Sequence, residues 1–421
     1  MKRIISILAL LTLMSLCACG QWYLFPLGKG KSPKDTATLM KMKPEAKKDT
    51  VLMNPNPTTD AGETAGGVGN EEMEDNEDFF VLDIPDVVNI SMILPINASG
   101  KANANFLAMY TGGLLAARDL GSNGMKIDFN IYDAADPSAP MSHDMIDESD
   151  VIIGPVSTED LQKALSLSHT GKRIISPLEP KAASLTDSCR VIQAPTAWCD
   201  QIDDLFKWIE EESVIGDEVI VVRDTVLTGQ GEQYNYMISK LEESGIRFKT
   251  VYSASSAVPS VIGNTRFLIA SDRDAFISAS ARQIGAFSIK RKKGNTYLYI
   301  TSRMRNAKGL DPQQLYRSNA RVTMSYFIDY SDESVKNFIL AYRALFKDEP
   351  ASFAFQGYDT VNYFTRMCAK YGRQWYMKLS EAPEFKGLQS NYSFKETEMA
   401  GQVNRAVKRI VYRPDMSADV Q

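Results

Sequence analysis

From residue 87 onward, short β-branched runs alternate with stretches whose apolar residues recur at helical spacing. The run 87–96 reads as a strand, and 105–120 places Phe106, Tyr110, Leu114 and Ala117 on one helical stripe that Gly121 and Gly124 stop. The same reasoning predicts strands at 126–132, 151–153, 173–175 and 190–192, with helices at 142–147 and 160–168. The alternation then starts again. A helix over 197–212 carries Trp198, Ile202, Leu205, Phe206 and Ile209 on one face. Strands follow at 218–222, 248–252, 267–270 and 297–300, with helices at 231–244 and 275–284. A strand at 322–330, helices at 332–346 and 357–371, and closing strands at 388–394 and 403–412 complete the chain. Short apolar strands separated by amphipathic helices imply parallel sheets covered on both faces. Two successive alternating units imply an α/β protein of two doubly wound, Rossmann-like lobes.

Residues 20–85 look different. Pro, Gly, Thr, Asn, Lys and Glu dominate, 29–48 is Lys-rich, and 71–78 is almost wholly acidic. Such a segment buries too little apolar surface to offset its chain entropy. It is expected to be a disordered tether with a mean reach of roughly 45 Å. Asp35-Thr36-Ala37 and Asp49-Thr50-Val51 are similar to an O-glycosylation triplet of Bacteroidota, but chance is the better explanation for either three-residue match alone.

The N-terminus has the form of an export signal. Lys2 and Arg3 precede an apolar run over 4–16, too short for a comfortable membrane span. It ends in Leu16-Cys17-Ala18-Cys19-Gly20, which resembles the bacterial lipobox; Cys19 fits the lipid-acceptor position and Cys17 does not. The resemblance implies a signal peptide over 1–19, a Bacteroidota-type lipoprotein and an anchor of several acyl chains on Cys19. Gly20 in place of Asp favours the outer membrane, and the absence of an immediate acidic run favours its periplasmic face, with the inner membrane as the other option.

Composition narrows the function classes. With 47 basic and 52 acidic residues the net charge is −5, which gives no reason to expect nucleic-acid binding. Cys189, Cys199 and Cys368 lie beyond the anchor; Cys189 with Cys199 is one possible disulfide, and three free thiols is the other reading. The chain has 2 histidines, His143 and His169, and shows no metal spacing of Cys and His. Gly229-Gln230-Gly231 lacks both a third glycine at dinucleotide spacing and the Lys-Ser/Thr of a P-loop. No nucleophile elbow occurs. No cofactor is implied, and the reading is of a non-enzyme.

Several segments in order resemble type I periplasmic solute-binding proteins, especially the branched-chain amino-acid receptor branch. They are Ile93-Leu94-Pro95 with Tyr110 to Ala117, Asp150 to Thr158, Ile174-Ile175-Ser176-Pro177, Gln356-Gly357-Tyr358-Asp359, and Gly387-Leu388 with Gly401 to Asn404. The resemblance covers 86–421. It implies two hinged lobes that exchange the chain three times, one over 86–198 plus 327–376 and the other over 199–326 plus 377–421. It further implies a small-molecule ligand, amino acid-like or anionic, and a transporter permease as partner. Outer-membrane lipoproteins that activate penicillin-binding proteins use a similar domain, so a regulatory lipoprotein acting on a cell-wall synthase is the alternative.

Ligands of open α/β sheets bind beyond the carboxyl ends of the strands. In the first lobe this singles out Ser157, Thr158, Ser176 and Glu179; in the second, Thr228, Asp272, Ser302 and Arg303. Ser157 and Thr158 would offer a helix N-terminus to an anion, or merely cap their own helix. Asp272 suits an ammonium group and Arg303 a carboxylate or phosphate, while a solvated strand-end charge is the plainer reading of each. Tyr358-Asp359 is read as structural, the carboxylate facing the dipole of a helix start. Relative to amino-acid receptors, Leu178-Glu179-Pro180-Lys181 stands where a hydroxyl is usual, and Thr228 to Gly231 where an aromatic is usual.

Overall fold

The computed structural model describes residues 82–98, 100–186, 188–397 and 401–421. Cys19, the signal peptide and all but the last residues of the expected tether lie outside the described residues. Among the described residues no helix is long and apolar enough to cross a membrane. The compact unit Phe80–Gln421 contains two seven-stranded sheets.

The first sheet has the order β13-β14-β5-β4-β3-β1-β2. Its strands are β1 (Val88–Leu94), β2 (Ile127–Asp133), β3 (Val151–Ile153), β4 (Ile174–Ser176), β5 (Val191–Gln193), β13 (Phe394–Glu396) and β14 (Gln402–Asn404). All neighbours run parallel except β13 against β14. The strands are short and apolar on both sides because both faces are covered. Ile90, Met92, Leu94, Ile153, Ile175 and Ile192 enter one core, while Ile93, Ile152, Ile174 and Val191 enter the other. This period-two division is what alternating side chains in a doubly covered sheet require.

Two long helices, α1 (Ala104–Ser122) and a later one (Ser352–Tyr371), cover the first of these cores. They approach so closely that a Cβ on Gly112 would lie 1.8 Å from the Ala354 carbonyl oxygen. A Cβ on Gly357 would lie 1.9 Å from that of Met109. Only glycine allows two backbones to pack at this distance.

The second sheet has the order β16-β15-β10-β9-β8-β6-β7. Its members are β6 (Glu218–Arg223), β7 (Phe248–Val251), β8 (Thr265–Ala270), β9 (Thr296–Thr301), β10 (Arg321–Met324), β15 (Lys408–Tyr412) and β16 (Ala418–Val420). One continuous core joins Val221, Phe267, Leu298 and Val322 to the helix Trp198–Glu212 through Ile202, Leu205 and Ile209.

Several expectations need correction. The strand expected at 322–330 ends at Met324, because the chain there leaves the sheet; Tyr326 instead forms an isolated bridge with Ser390. The strand expected at 403–412 is two strands, one in each sheet, so the third passage between lobes falls at 405–407. Residues 377–397 and 401–404 therefore belong with the first lobe: Tyr392 and Phe394 pack in its core. The body also begins before 86, since the Arg373 backbone N–H donates to the Asp83 carbonyl at 2.9 Å. Cys189, Cys199 and Cys368 are all free, so the disulfide alternative falls.

Candidate functional site

The chain passes between the sheets at 194–197, 325–327 and 405–407, next to the carboxyl ends of the strands. Asn404 clasps two of these passages. Its amide nitrogen donates to the carbonyls of Ala194 and Asn391, each at 2.8 Å, and its oxygen accepts from the N–H groups of Ser393 at 2.9 Å and Ala406 at 3.0 Å. The Thr196 hydroxyl donates to the Ala406 carbonyl at 2.5 Å.

Asp359 supports the remaining passage indirectly, through the turn 388–390 that accepts from the Phe327 N–H at 2.9 Å and bridges Tyr326. It lies two turns inside its helix, not at the helix start that the sequence suggested, so the dipole explanation fails. Its carboxylate accepts from the backbone N–H groups of Leu388 (2.8 Å), Gln389 (2.8 Å) and Ser390 (2.9 Å). Burial pushes this carboxyl up to about 6, against the opposing pull of those N–H groups and of Lys408. Lys408, itself buried, donates to the carbonyls of Phe327 at 3.3 Å and Gly387 at 3.2 Å. Tyr358, the other member of the pair, donates to Asp119 at 3.1 Å.

The candidate ligand contacts of the first lobe stay local. Ser157 caps the helix Thr158–Leu167: its hydroxyl accepts from the Asp160 N–H at 3.1 Å and donates to the Asp160 carboxylate at 2.6 Å. Thr158 is the first residue of that helix. The Glu179 carboxylate accepts from the Lys181 N–H at 2.9 Å. Ser176 differs: it is fully buried at the tip of β4, and among the described residues its hydroxyl has no partner.

In the second lobe the charges are likewise engaged. Asp272 accepts from the N–H groups of Gly231 at 2.8 Å and Tyr234 at 3.0 Å, capping the helix Glu232–Glu243. Arg303 donates to Asp274 at 2.7 Å and to the Asp272 carbonyl at 3.0 Å, so these two candidates do come together, but as a structural pair. Ser302 donates to Gln201 at 2.5 Å. Thr228 is exposed, and Gln230 ties the rim instead: it donates to Asp224 at 3.1 Å and accepts from the Asp272 N–H at 2.7 Å.

One contact between the lobes lies away from the three passages and is not predicted by the sequence reading. Lys181, in the loop after β4, lies 3.0 Å from Glu232, at the helix start after β6. Both side chains remain substantially exposed. The sequence contained one signal for it: Lys181 stands in the loop whose charged and proline residues depart from the amino-acid receptor pattern. Two cavities, of about 360 and 530 Å³, lie away from this gap. The smaller is lined by Asp119, Phe338 and Tyr358 within the first lobe.

Comparison with solved structures identifies the class of fold. A protein from Rhodospirillum rubrum described as a branched-chain amino acid ABC transporter is similar at a TM-score of 0.51 and 14% identity, over 80% of this chain and 100% of that one. An ABC transporter substrate-binding protein from Desulfitobacterium hafniense, complexed with leucine, is similar at a TM-score of 0.44 and 13% identity, over 80% and 100%. No family model matches the sequence, and no curated protein does. Sheet orders, crossings and the first likeness together define the two-lobed fold of type I periplasmic binding proteins.

Proposed function

We propose that this chain is a membrane-tethered binding lipoprotein that captures a small polar solute between its two lobes. Lipid on Cys19 would hold it at the periplasmic face of the outer membrane, and a permease would be the partner of a transport role. The observation that carries the reading is the Lys181–Glu232 pair across the gap. A zwitterionic solute, amino acid-like, offers each of these charges a replacement partner: its carboxylate for Lys181 and its ammonium for Glu232. An exposed pair contributes about 0–1 kcal/mol, so little is lost in exchanging it for a ligand. The role is binding, not catalysis.

A second reading is favoured by a specific observation. Asp272, Arg303 and Glu179, the charges expected to meet a ligand, already serve their own lobes. That suits a regulatory lipoprotein that uses the fold to contact a cell-wall synthase. Native mass spectrometry of the purified protein tests the choice. A stoichiometric small ligand, lost in both Lys181→Gln and Glu232→Gln, supports capture. Repeatedly empty protein that crosslinks to a synthase supports regulation and removes the capture reading.

A further inference from the structure

The end of the second lobe opposite the gap carries an apolar, basic surface with no role in the reading above. Three loops meet there, at the amino ends of β6, β8 and β9. The Ser260 hydroxyl donates to the Gly216 carbonyl at 2.8 Å, joining the loops 213–217 and 257–264. Arg291 donates to the Gly263 carbonyl at 2.5 Å, and the Asn295 N–H to Asn264 at 2.9 Å, joining the third loop to the second. The loops form one surface, laced by backbone.

On this surface the apolar side chains point into water. Ile215 is 104% exposed, Val261 86% and Ile262 85%. Ile289, at the end of the helix Asp274–Lys290, is exposed beside them. Scattered single aliphatics need no explanation, but several on interlocked loop tips do. Next to Ile289 the chain reads Lys290-Arg291-Lys292-Lys293. Arg291 is spent on the loops, while Lys290, Lys292 and Lys293 make no ion pair among the described residues. Of the acids at this end, Asp217 pairs with Arg266, Glu212 with Arg266 and Arg321, and Glu218 with Lys249, while Asp415, flanked by two residues of the neighbouring cavity wall, accepts from Ser417 and makes no ion pair among the described residues. A cavity of about 530 Å³ beside the lysines has Arg291 and Arg317 in its wall.

We propose that this end of the second lobe docks on an anionic lipid bilayer. The aliphatic tips enter the boundary between headgroups and acyl chains, and the three free lysines meet lipid phosphates. Charge complementarity selects the occupant: separate protruding tips flanked by uncompensated cations match a soft anionic surface better than a shaped apolar groove would. Since the strands run from this end toward the gap, docking points the gap away from the bilayer, about 20 Å out along a six-residue strand.

The test uses the full chain with vesicles, read by hydrogen–deuterium exchange at peptides covering 213–217, 257–264 and 289–295. These loops, and not the rest of the second lobe, are expected to gain protection on vesicles containing phosphatidylglycerol. The protection should vanish on pure phosphatidylcholine and in 0.5 M salt, about 0.5 M being enough to shorten screening below the reach of a lysine. Replacing Lys290, Lys292 and Lys293 by Gln should weaken this contact about 100-fold, roughly five-fold per charge. Ile262→Ser, at an exposed tip that cannot disturb the core, should weaken it about ten-fold. Unchanged exchange at these loops while the chain still sediments with anionic vesicles overturns the proposal. So does equal protection on neutral vesicles, or protection that needs a protein extracted from the membrane. None of these outcomes bears on ligand capture, which is read separately by mass.

Discussion

The glycine contact between the two long helices of the first lobe permits a quantitative test. In Gly357→Ala the new Cβ would sit 1.9 Å from the Met109 carbonyl oxygen, 2.8 Å from its carbon and 3.1 Å from the Gly113 nitrogen. Relief requires the helices to separate by roughly 1.3 Å, and a gap of about that size forfeits a quarter to a half of each contact well along the seam. That seam includes Leu115, Phe355 and Val361, all fully buried. Overpacking of this kind costs about 1–3 kcal/mol where a side chain can yield, and about 3–4 is expected here because backbone opposes the Cβ on every side. Gly112→Ala meets Ala354 in the same seam, so the double variant should cost at least ~1 kcal/mol less than the two singles together. Gly121→Ala is the control: no heavy atom lies within 4 Å, and it should stabilise by about 0.5–1 kcal/mol. Urea titration in a background with Trp22, Trp198 and Trp208 replaced by Phe leaves the fluorescence of buried Trp375 to report the first lobe. A Gly357→Ala loss below about 1 kcal/mol, or strict additivity in the double variant, would refute the reasoning.

Other consequences can be checked more briefly. Asp359 is held up to about 6 when folded, above its unfolded value near 4, so the folded chain binds this proton more tightly. Its contribution is therefore fully present below about pH 4 and lost as pH rises through about 6; in Asp359→Asn that decline, measured by urea midpoints across the range, should disappear. Asp272→Ala should cost about 1–2 kcal/mol by removing the cap from two N–H groups of its helix, seen as a lower melting temperature. Lys181→Gln should change stability by less than about 1 kcal/mol, yet widen the distribution of lobe separations measured by single-molecule fluorescence transfer. Cys189 should react with a thiol reagent at once, whereas Cys368, buried and with its thiol pushed up to about 12, should react only on unfolding.

Much of the architecture was legible because it follows from local periodicity. A doubly covered strand must be apolar on both sides, so 151–153, 174–176 and 191–193 stand out by composition alone. What periodicity cannot see is a strand that changes sheets. The stretch 403–412 mixes apolar residues with Asn, Lys and Arg and carries no Gly or Pro to mark a break, yet the Asn404 side chain replaces the ladder at the passage. The helix Ser352–Tyr371 starts five residues before the predicted position because Ala351, its cap, has only a methyl group and no capping oxygen to announce the start. For the site, strand-end positions were legible but not their partners. Asp272 meets Gly231 and Tyr234 from 41 and 38 residues away, a relation set by the fold and invisible in the order of residues. Gly112 and Gly357 belong to two of the segments that carried the family resemblance, and their reciprocal contact gives that part of the resemblance a physical cause.

The hinge and the gap differ in strength, and this difference bears on function. At the hinge, Asp359, Asn404 and Lys408 hold the passages through many buried hydrogen bonds, several of them charge-assisted. Such bonds contribute about 1.5–3 kcal/mol each where a charge is involved. Among the described residues one ion pair stands across the gap, and its members keep much of their contact with water, contributing about 1 kcal/mol at most. A pair of that strength biases open against closed lobes by a factor of about five. A ligand can shift such an equilibrium only by its differential affinity for the two states, and a differential of about 3 kcal/mol shifts it by roughly 150-fold. A regulator that must present one fixed surface needs a stronger clasp than Lys181 with Glu232 provides, so the weakness of this contact favours lobes whose position is set by what enters between them.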